Sequence, residues 1–148
     1  MQTLLQTPLL HPLVQVCTKT SFVKLVVKQK GIERVALITD SMSAAGLPDG
    51  KYVYNDLRYE AKNGLAVYCG TDTFIGTALT LNGIVKRIVA MGIVNLEQAV
   101  EMASIVPARI LGIDDKKGSL EKGKDADIAV MDRDCNVSLA AVAGKVIR

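Results

Sequence analysis

Apolar residues fall into three periods along this chain, and each period predicts a different element. Residues 21–30 carry Phe22, Val23, Leu25, Val26 and Val27 at helical spacing, with Thr20 or Ser21 as cap and Gly31 as stop. The run Arg34-Val35-Ala36-Leu37-Ile38-Thr39-Asp40 is almost continuously apolar, which predicts a strand over 34–39 buried on both faces. Helix, short loop and apolar strand form an αβ unit of a parallel sheet. Between 50 and 70 the pattern shortens and alternates. Lys51-Tyr52-Val53-Tyr54, Leu57-Arg58-Tyr59-Glu60 and Leu65-Ala66-Val67-Tyr68 are separated by Asn55-Asp56 and Asn63-Gly64, which predicts an antiparallel meander with a hairpin at Asn63-Gly64.

Helical spacing returns over 77–91 through Leu79, Ile84, Val85, Ile88 and Val89. Asn95, with Gln98 three residues on, reads as a capping box for a helix turning Leu96, Ala99, Val100 and Ala103 inward. Pro107 punctuates it, and Gly112 closes a short helical piece over 107–111. The tail reads as strands at Ile128-Ala129-Val130-Met131 and 137–142, with a Gly144-Lys145 turn before Val146-Ile147. Strands on both sides of the helical part predict one small sheet assembled from distant pieces. Residues 1–19, broken by Pro8 and Pro12, show no period and are expected to be irregular.

Composition narrows the chemistry. At 148 residues and 49% hydrophobic, the chain is sized for one core, built from aliphatic side chains because Trp is absent. The net charge of +3 is interspersed, and Lys19, Lys24, Lys28 and Lys30 read as a solvated helix face, so no nucleic-acid partner is expected. No apolar run approaches membrane-spanning length and the N-terminus makes a poor signal peptide, so no membrane partner is expected. Cys17, Cys69 and Cys135 lack metal-ligand spacing and read as reduced thiols of a cytoplasmic protein. His11 is the single histidine. A multi-histidine metal site therefore cannot be built from this chain by itself, and His11 reads as a surface or turn residue.

Asp40 is the most pointed feature. A carboxylate at the carboxyl end of a buried parallel strand is where α/β barrels keep catalytic groups. The plain alternative is a cap for the following turn, and on local pattern that reading leads.

Four segments reverse the order. Leu37-Ile38-Thr39-Asp40-Ser41-Met42-Ser43-Ala44-Ala45-Gly46-Leu47-Pro48-Asp49-Gly50, Phe74-Ile75-Gly76-Thr77-Ala78-Leu79-Thr80, Ala103-Ser104-Ile105-Val106-Pro107-Ala108-Arg109-Ile110-Leu111-Gly112 and Lys117-Gly118-Ser119-Leu120-Glu121-Lys122-Gly123-Lys124-Asp125-Ala126-Asp127-Ile128 together resemble the carboxyl-terminal part of N-acetylglucosamine-6-phosphate deacetylases of the amidohydrolase superfamily. The first segment is specific. The fourth occurs widely in metal-dependent amidohydrolases.

The resemblance covers about 20–148 and implies an α/β fold: the carboxyl-terminal fragment of a (β/α)8 metal-dependent hydrolase barrel plus part of a small β-sandwich. The expected divisions are the last barrel αβ unit at 20–48, a sandwich meander at 49–73, barrel-packing helices at 74–114 and sandwich strands at 115–148. Asp40 matches the family's general base, which takes a proton from the attacking water and passes it to the departing amine. Phe74, Ile75, Gly76 and Thr77 match a substrate-contacting stretch, with Gly76 and Thr77 opening a helix whose N–H groups face a sugar or phosphate oxygen. Phe74-Ile75 is bulkier than the family's Leu-Ala.

The complete family uses a divalent metal, zinc or similar, held by a Glu and two His from earlier strands. No position here matches those ligands, and in ungapped register the family's substrate-contacting His falls near Cys17, where Cys17-Thr18-Lys19 does not replace it. No metal is therefore expected to bind this chain tightly, and the chain is expected to be inactive alone. The expected partners are an amino-sugar phosphate, and either a second copy or an amino-terminal half. Asp127 and Asp132 are expected to cap or turn the tail hairpin, without catalysis. The competing readings are a non-catalytic remnant or assembly module, and another amidohydrolase such as a dihydroorotase-like or imidazolonepropionase-like member. The Ala44-Ala45-Gly46-Leu47-Pro48 loop argues against the last.

Overall fold

The computed structural model describes residues 13–14 and 20–147. His11 and Cys17 lie outside the described residues. Helix α1 spans Thr20–Lys30, and Val23 and Val27, one turn apart, are its buried positions. Lys24, Lys28 and Lys30 stay exposed, as a solvated face should. Gly31, at φ 78°, ends the helix, its amide reaching back to the Val27 carbonyl at 2.9 Å.

The apolar run that follows is shorter as a strand than its composition suggests. Ile32–Arg34 forms one turn of 3-10 helix, closed by Arg34 N–H to Gly31 O and Val35 N–H to Ile32 O, both 3.3 Å. Glu33 and Arg34 are exposed, so hydrophobicity has nothing to gain from extending that end. Strand β2 is Ala36–Leu37 only, although Val35, Ala36 and Leu37 are all buried. Its neighbour is β1, Leu13–Val14, paired in parallel with Leu13 opposite Ala36. A strand thus arises in a segment that shows no period, because two residues are too few to carry one.

The strands β3 (Gly50–Tyr54), β4 (Leu57–Lys62) and β5 (Leu65–Tyr68) form the meander that alternation and turn residues foretell. Asn55 and Asp56, then Asn63 and Gly64, take positive φ at both central turn positions, the backbone that matches the twist of a two-residue hairpin. A fourth strand, β6 (Phe74–Thr77), continues the sheet against β5. Residues 74–77 were expected to begin the helical part. The helix α2 instead starts at Leu81 and runs to Ala90, with Thr80 as its N-cap residue.

Helix α3, Leu96–Ala103, carries the full capping box: Gln98 N–H donates to Asn95 Oδ1 at 2.8 Å, and Asn95 N–H donates to Gln98 Oε1 at 3.1 Å. Helix α4, Ile105–Leu111, ends at the left-handed Gly112. The main core gathers Val23, Val27, Val35, Leu37, Ile84, Val85, Ile88, Val94, Ala99 and Met102, so α1, α2 and α3 all close over β2.

The tail strands β7 (Ile128–Met131), β8 (Val137–Val142) and β9 (Lys145–Val146) form a separate antiparallel sheet. A single sheet built from both parts of the chain is not what forms. Each group of strands closes through its own short turns, so pairing is local. The last turn uses Ala143 and Gly144, at φ 48° and 76°, one residue earlier than its composition suggests. Asp127 Oδ1 accepts the Ala143 N–H at 2.8 Å and secures that left-handed alanine.

Asp127 also pairs with Lys117, which bridges to Asp125 at 2.9 Å. The Lys117 hydrogen bond, then the Ala143 N–H, holds the Asp127 carboxyl below the usual carboxylate range. Asp132 accepts from Asp134 N–H and Asn136 N–H, each at 2.9 Å, closing the β7–β8 turn. Both aspartates do the capping and turning work expected of them.

Candidate active site

Asp40 lies three residues beyond β2, exposed, with φ 48°. The left-handed region is uncommon outside glycine, and Asp is among the side chains that tolerate it best. What holds the conformation is β6. The Asp40 carbonyl accepts the Thr77 N–H at 2.8 Å, and the Met42 N–H donates to the Thr77 carbonyl at 2.8 Å. Ser41 thereby pairs in parallel with Thr77 as an isolated bridge. The Thr77 hydroxyl donates to the Thr39 carbonyl at 2.6 Å, and the Ser41 hydroxyl donates to the Leu79 carbonyl. Two stretches 34 or more residues apart in sequence are thus laced together along both sides of Asp40.

Gly76 permits this approach. A Cβ there would lie 2.7 Å from the Asp40 carbonyl oxygen and 3.1 Å from Met42 Cγ. Its φ of 154° is also one that L side chains rarely adopt.

The loop after Asp40 is held from below by the meander. The buried Tyr59 hydroxyl accepts the Ala44 N–H at 2.9 Å and bonds the Ser43 hydroxyl at 2.9 Å. Tyr52 stacks on Tyr59 with ring centroids 5.9 Å apart, and its hydroxyl donates to the Pro48 carbonyl. Ala44, Tyr59, Ala61 and Ala66 form a second small core, against which Met42 and Ile75 pack. Asp49 Oδ2 accepts the Asn63 N–H at 2.9 Å, joining the loop's far end to the β4–β5 hairpin.

Gly76 and Thr77 therefore meet the Asp40 segment, with Phe74 and Ile75 earlier on the same strand, but not in the expected form. Phe74 is exposed and Ile75 half-buried on β6. Gly76 and Thr77 do not open a helix. Both lie in the strand, and Thr77 is fully buried with its amide and hydroxyl already taken by Asp40 and Thr39. The free N–H groups of a helix start are absent there because β5 and the Asp40 segment claim this backbone. Tyr59 and Ser41 enter as supports that sequence reasoning did not single out. For Tyr59 the available signal was its place in a strand two residues before Ala61, both on one face.

Tyr59→Phe should destabilise the chain by about 1–3 kcal/mol, since it leaves the buried Ala44 N–H without its acceptor while preserving ring packing. Urea denaturation of the full chain measures this. An unchanged midpoint would mean that the hydroxyl does not hold the loop.

Among the described residues no three His, Cys, Asp or Glu side chains group into a metal site. No helix among them is long and apolar enough to cross a membrane. Cys69 and Cys135 are free thiols.

Comparison with known proteins gives this geometry a context. The sequence profile of the Amidohydrolase family matches residues 17–147. The N-acetylglucosamine-6-phosphate deacetylase of Vibrio furnissii is 39% identical over 114 residues, a stretch covering 77% of this chain and 28% of that protein. The N-acetylgalactosamine-6-phosphate deacetylase of Escherichia coli O157:H7 is 35% identical over 114 residues, covering 77% of this chain and 30% of that one. The crystal structure of N-acetylglucosamine-6-phosphate deacetylase from Pasteurella multocida superposes with a TM-score of 0.79 at 29% identity, over 87% of this chain and 34% of that chain. The chain thus spans about a third or less of these three proteins, and 68% of a shorter relative from Escherichia coli K12.

Proposed function

This chain belongs to the amidohydrolase family, and from that premise we propose that it supplies the carboxyl-terminal, general-base part of an N-acetylglucosamine-6-phosphate deacetylase. The observation that carries the reading is the laced junction at Asp40, where the segment following β2 meets β6. The reaction is hydrolysis of an acetamide. A water oxygen forms a bond to the acetyl carbon as Asp40 accepts the water's proton. The carbon–nitrogen bond then breaks, and Asp40 returns the proton to the departing amine. The products are glucosamine 6-phosphate and acetate. In complete family members a divalent cation polarises the carbonyl. The role proposed for this chain is the proton transfer at Asp40.

Phe74 and Ile75, on the strand beside Asp40, are the proposed substrate contacts of this chain, with Gly76 giving the close backbone approach. A second reading takes the galacto epimer as substrate, and the similarity to an N-acetylgalactosamine-6-phosphate deacetylase favours it.

The partner proposed is the amino-terminal remainder of a family member. Among the described residues β2 has a strand neighbour on one side only, and α1 exposes Phe22 and Leu25. Unpaired edges and apolar side chains of this kind invite association. The full chain should therefore be co-expressed with the amino-terminal portion of the Vibrio furnissii deacetylase that it does not cover. The co-purified pair, supplied with zinc, should release acetate from N-acetylglucosamine 6-phosphate, while the chain by itself should self-associate in light scattering and release none. Metal-dependent turnover by the chain alone, or a stable but silent pair, would overturn the reading. The silent pair would favour an assembly module.

A further inference from the structure

We infer that Thr77 is a positioning residue for Asp40 and not a substrate contact. The inference rests on Asp40 being the general base. Thr77 is a threonine with 0% exposure at the end of an otherwise partly exposed strand. Its side chain cannot reach a ligand without leaving that burial. Each of its three polar groups bonds the segment that carries Asp40, and the hydroxyl also accepts the Leu79 N–H at 3.4 Å. The hydroxyl donates to Thr39 O at 2.6 Å, the amide donates to Asp40 O at 2.8 Å, and the carbonyl accepts from Met42 N–H at 2.8 Å. These contacts bracket Asp40, whose φ of 48° is not the backbone that a continuing strand would adopt.

The chemistry explains why such a clamp is useful. A left-handed residue turns the chain sharply, so the backbone at Asp40 departs from the course an extended segment would follow. Proton transfer depends on the carboxylate standing within hydrogen-bond reach of the water and then of the amine. Small displacements of such a group are costly in rate, because the reacting geometry is narrow. A buried hydroxyl bonded to the carbonyl just ahead of Asp40 fixes the turn at its root. The same hydroxyl lies 3.4 Å from Ser41 Oγ, the side chain just past Asp40.

Thr77→Val keeps the shape and removes the hydroxyl, while Thr77→Ser keeps the hydroxyl and removes a methyl group. Two measurements separate the inference from the reading it rests on. In the full chain, carbon chemical shifts of Asp40 report its left-handed backbone, and hydrogen exchange at Met42 and Thr77 reports the clamp. Thr77→Val should shift Asp40 out of the left-handed region and speed exchange at Met42, while Thr77→Ser should behave as the unmodified chain. In the pair assembled with the amino-terminal portion, Thr77→Val should lower kcat by about tenfold to a hundredfold with KM nearly constant, and Thr77→Ser should restore it.

Raised KM at constant kcat would make Thr77 a substrate contact and overturn the inference, as would unchanged Asp40 shifts in Thr77→Val. If Thr77→Val fails to fold, exchange in the unmodified chain decides. Protection of Met42 and Thr77 with one common opening supports the clamp, and loop-like exchange at both overturns it. If Asp40→Asn retains full turnover, the general-base reading fails and the inference fails with it, whatever the shifts show. If Asp40→Asn is inactive while Thr77→Val is fully active, only the positioning inference fails.

Discussion

Asp40→Asn should lower turnover of the assembled deacetylase by roughly two to four orders of magnitude, the span for losing a group that carries a proton in both directions. The substitution keeps the size and backbone preference of the side chain. Asn is as tolerant of the left-handed backbone as Asp, so φ 48° can be kept. The clamp from Thr77 acts on backbone atoms of residue 40 and on Thr39, and none of it requires a carboxylate. Fold and substrate affinity should therefore survive while kcat falls. The amide keeps one acceptor oxygen but cannot take up and return a proton. Steady-state kinetics of the pair, with circular dichroism as the check on folding, measures the effect. Equal turnover with Asn would remove Asp40 from the mechanism and return it to the role of a residue that ends a buried segment.

Gly76→Ala should destabilise the chain by about 2–5 kcal/mol, combining backbone strain with overpacking. The new methyl group would stand 2.7 Å from the Asp40 carbonyl oxygen, a backbone atom that can move only by opening the junction. Gly70→Ala is the control. Gly70 also has positive φ, at 77°, but a Cβ there meets nothing within 4 Å, so its cost should be only about 1 kcal/mol. Urea denaturation of both variants compares a left-handed glycine in open space with one at φ 154° pressed against backbone. Similar midpoints for the two would mean that β6 does not press against Asp40. A large loss at Gly76 alone would locate the close approach where the structure has it.

The two substitutions differ in what they leave standing. Asn at position 40 removes chemistry and keeps the junction, whereas Ala at position 76 breaks the junction and keeps the carboxylate. If the general base needs its clamp, Gly76→Ala should lower turnover of any folded fraction as well, even with Asp40 intact.

Much of the local structure is legible in the residues because its causes are local. The capping box at Asn95 and Gln98, the stop at Gly31 and the hairpin at Asn63-Gly64 each depend on the conformational preferences of two to four neighbouring residues. Alternation over 51–68 likewise sets which meander side chains turn inward, and Tyr59, Ala61 and Ala66 are buried accordingly. The four motifs carried the family resemblance, and the family profile over 17–147 agrees with it.

Other features had no local cause to read. Leu13–Val14 is a strand only because Ala36–Leu37 lies beside it. Residues 74–77 offer Gly and Thr, as a helix start does, and they become β6 because Val67, Ala66 and Leu65 on β5 pair with them. Two separate sheets replace the single one expected, since short turns let each set of strands pair with itself before reaching the other. The sequence alone determined which elements form wherever neighbours decide the backbone, and it offered Asp40 as the candidate general base. The tertiary structure alone decided that Thr77 is buried, that Gly76 touches the Asp40 backbone, and that Asp40 turns left-handed. Those facts belong to contacts across 34 or more residues, as in the Ser41–Thr77 pairing, and such contacts leave no period or motif in either strand by itself.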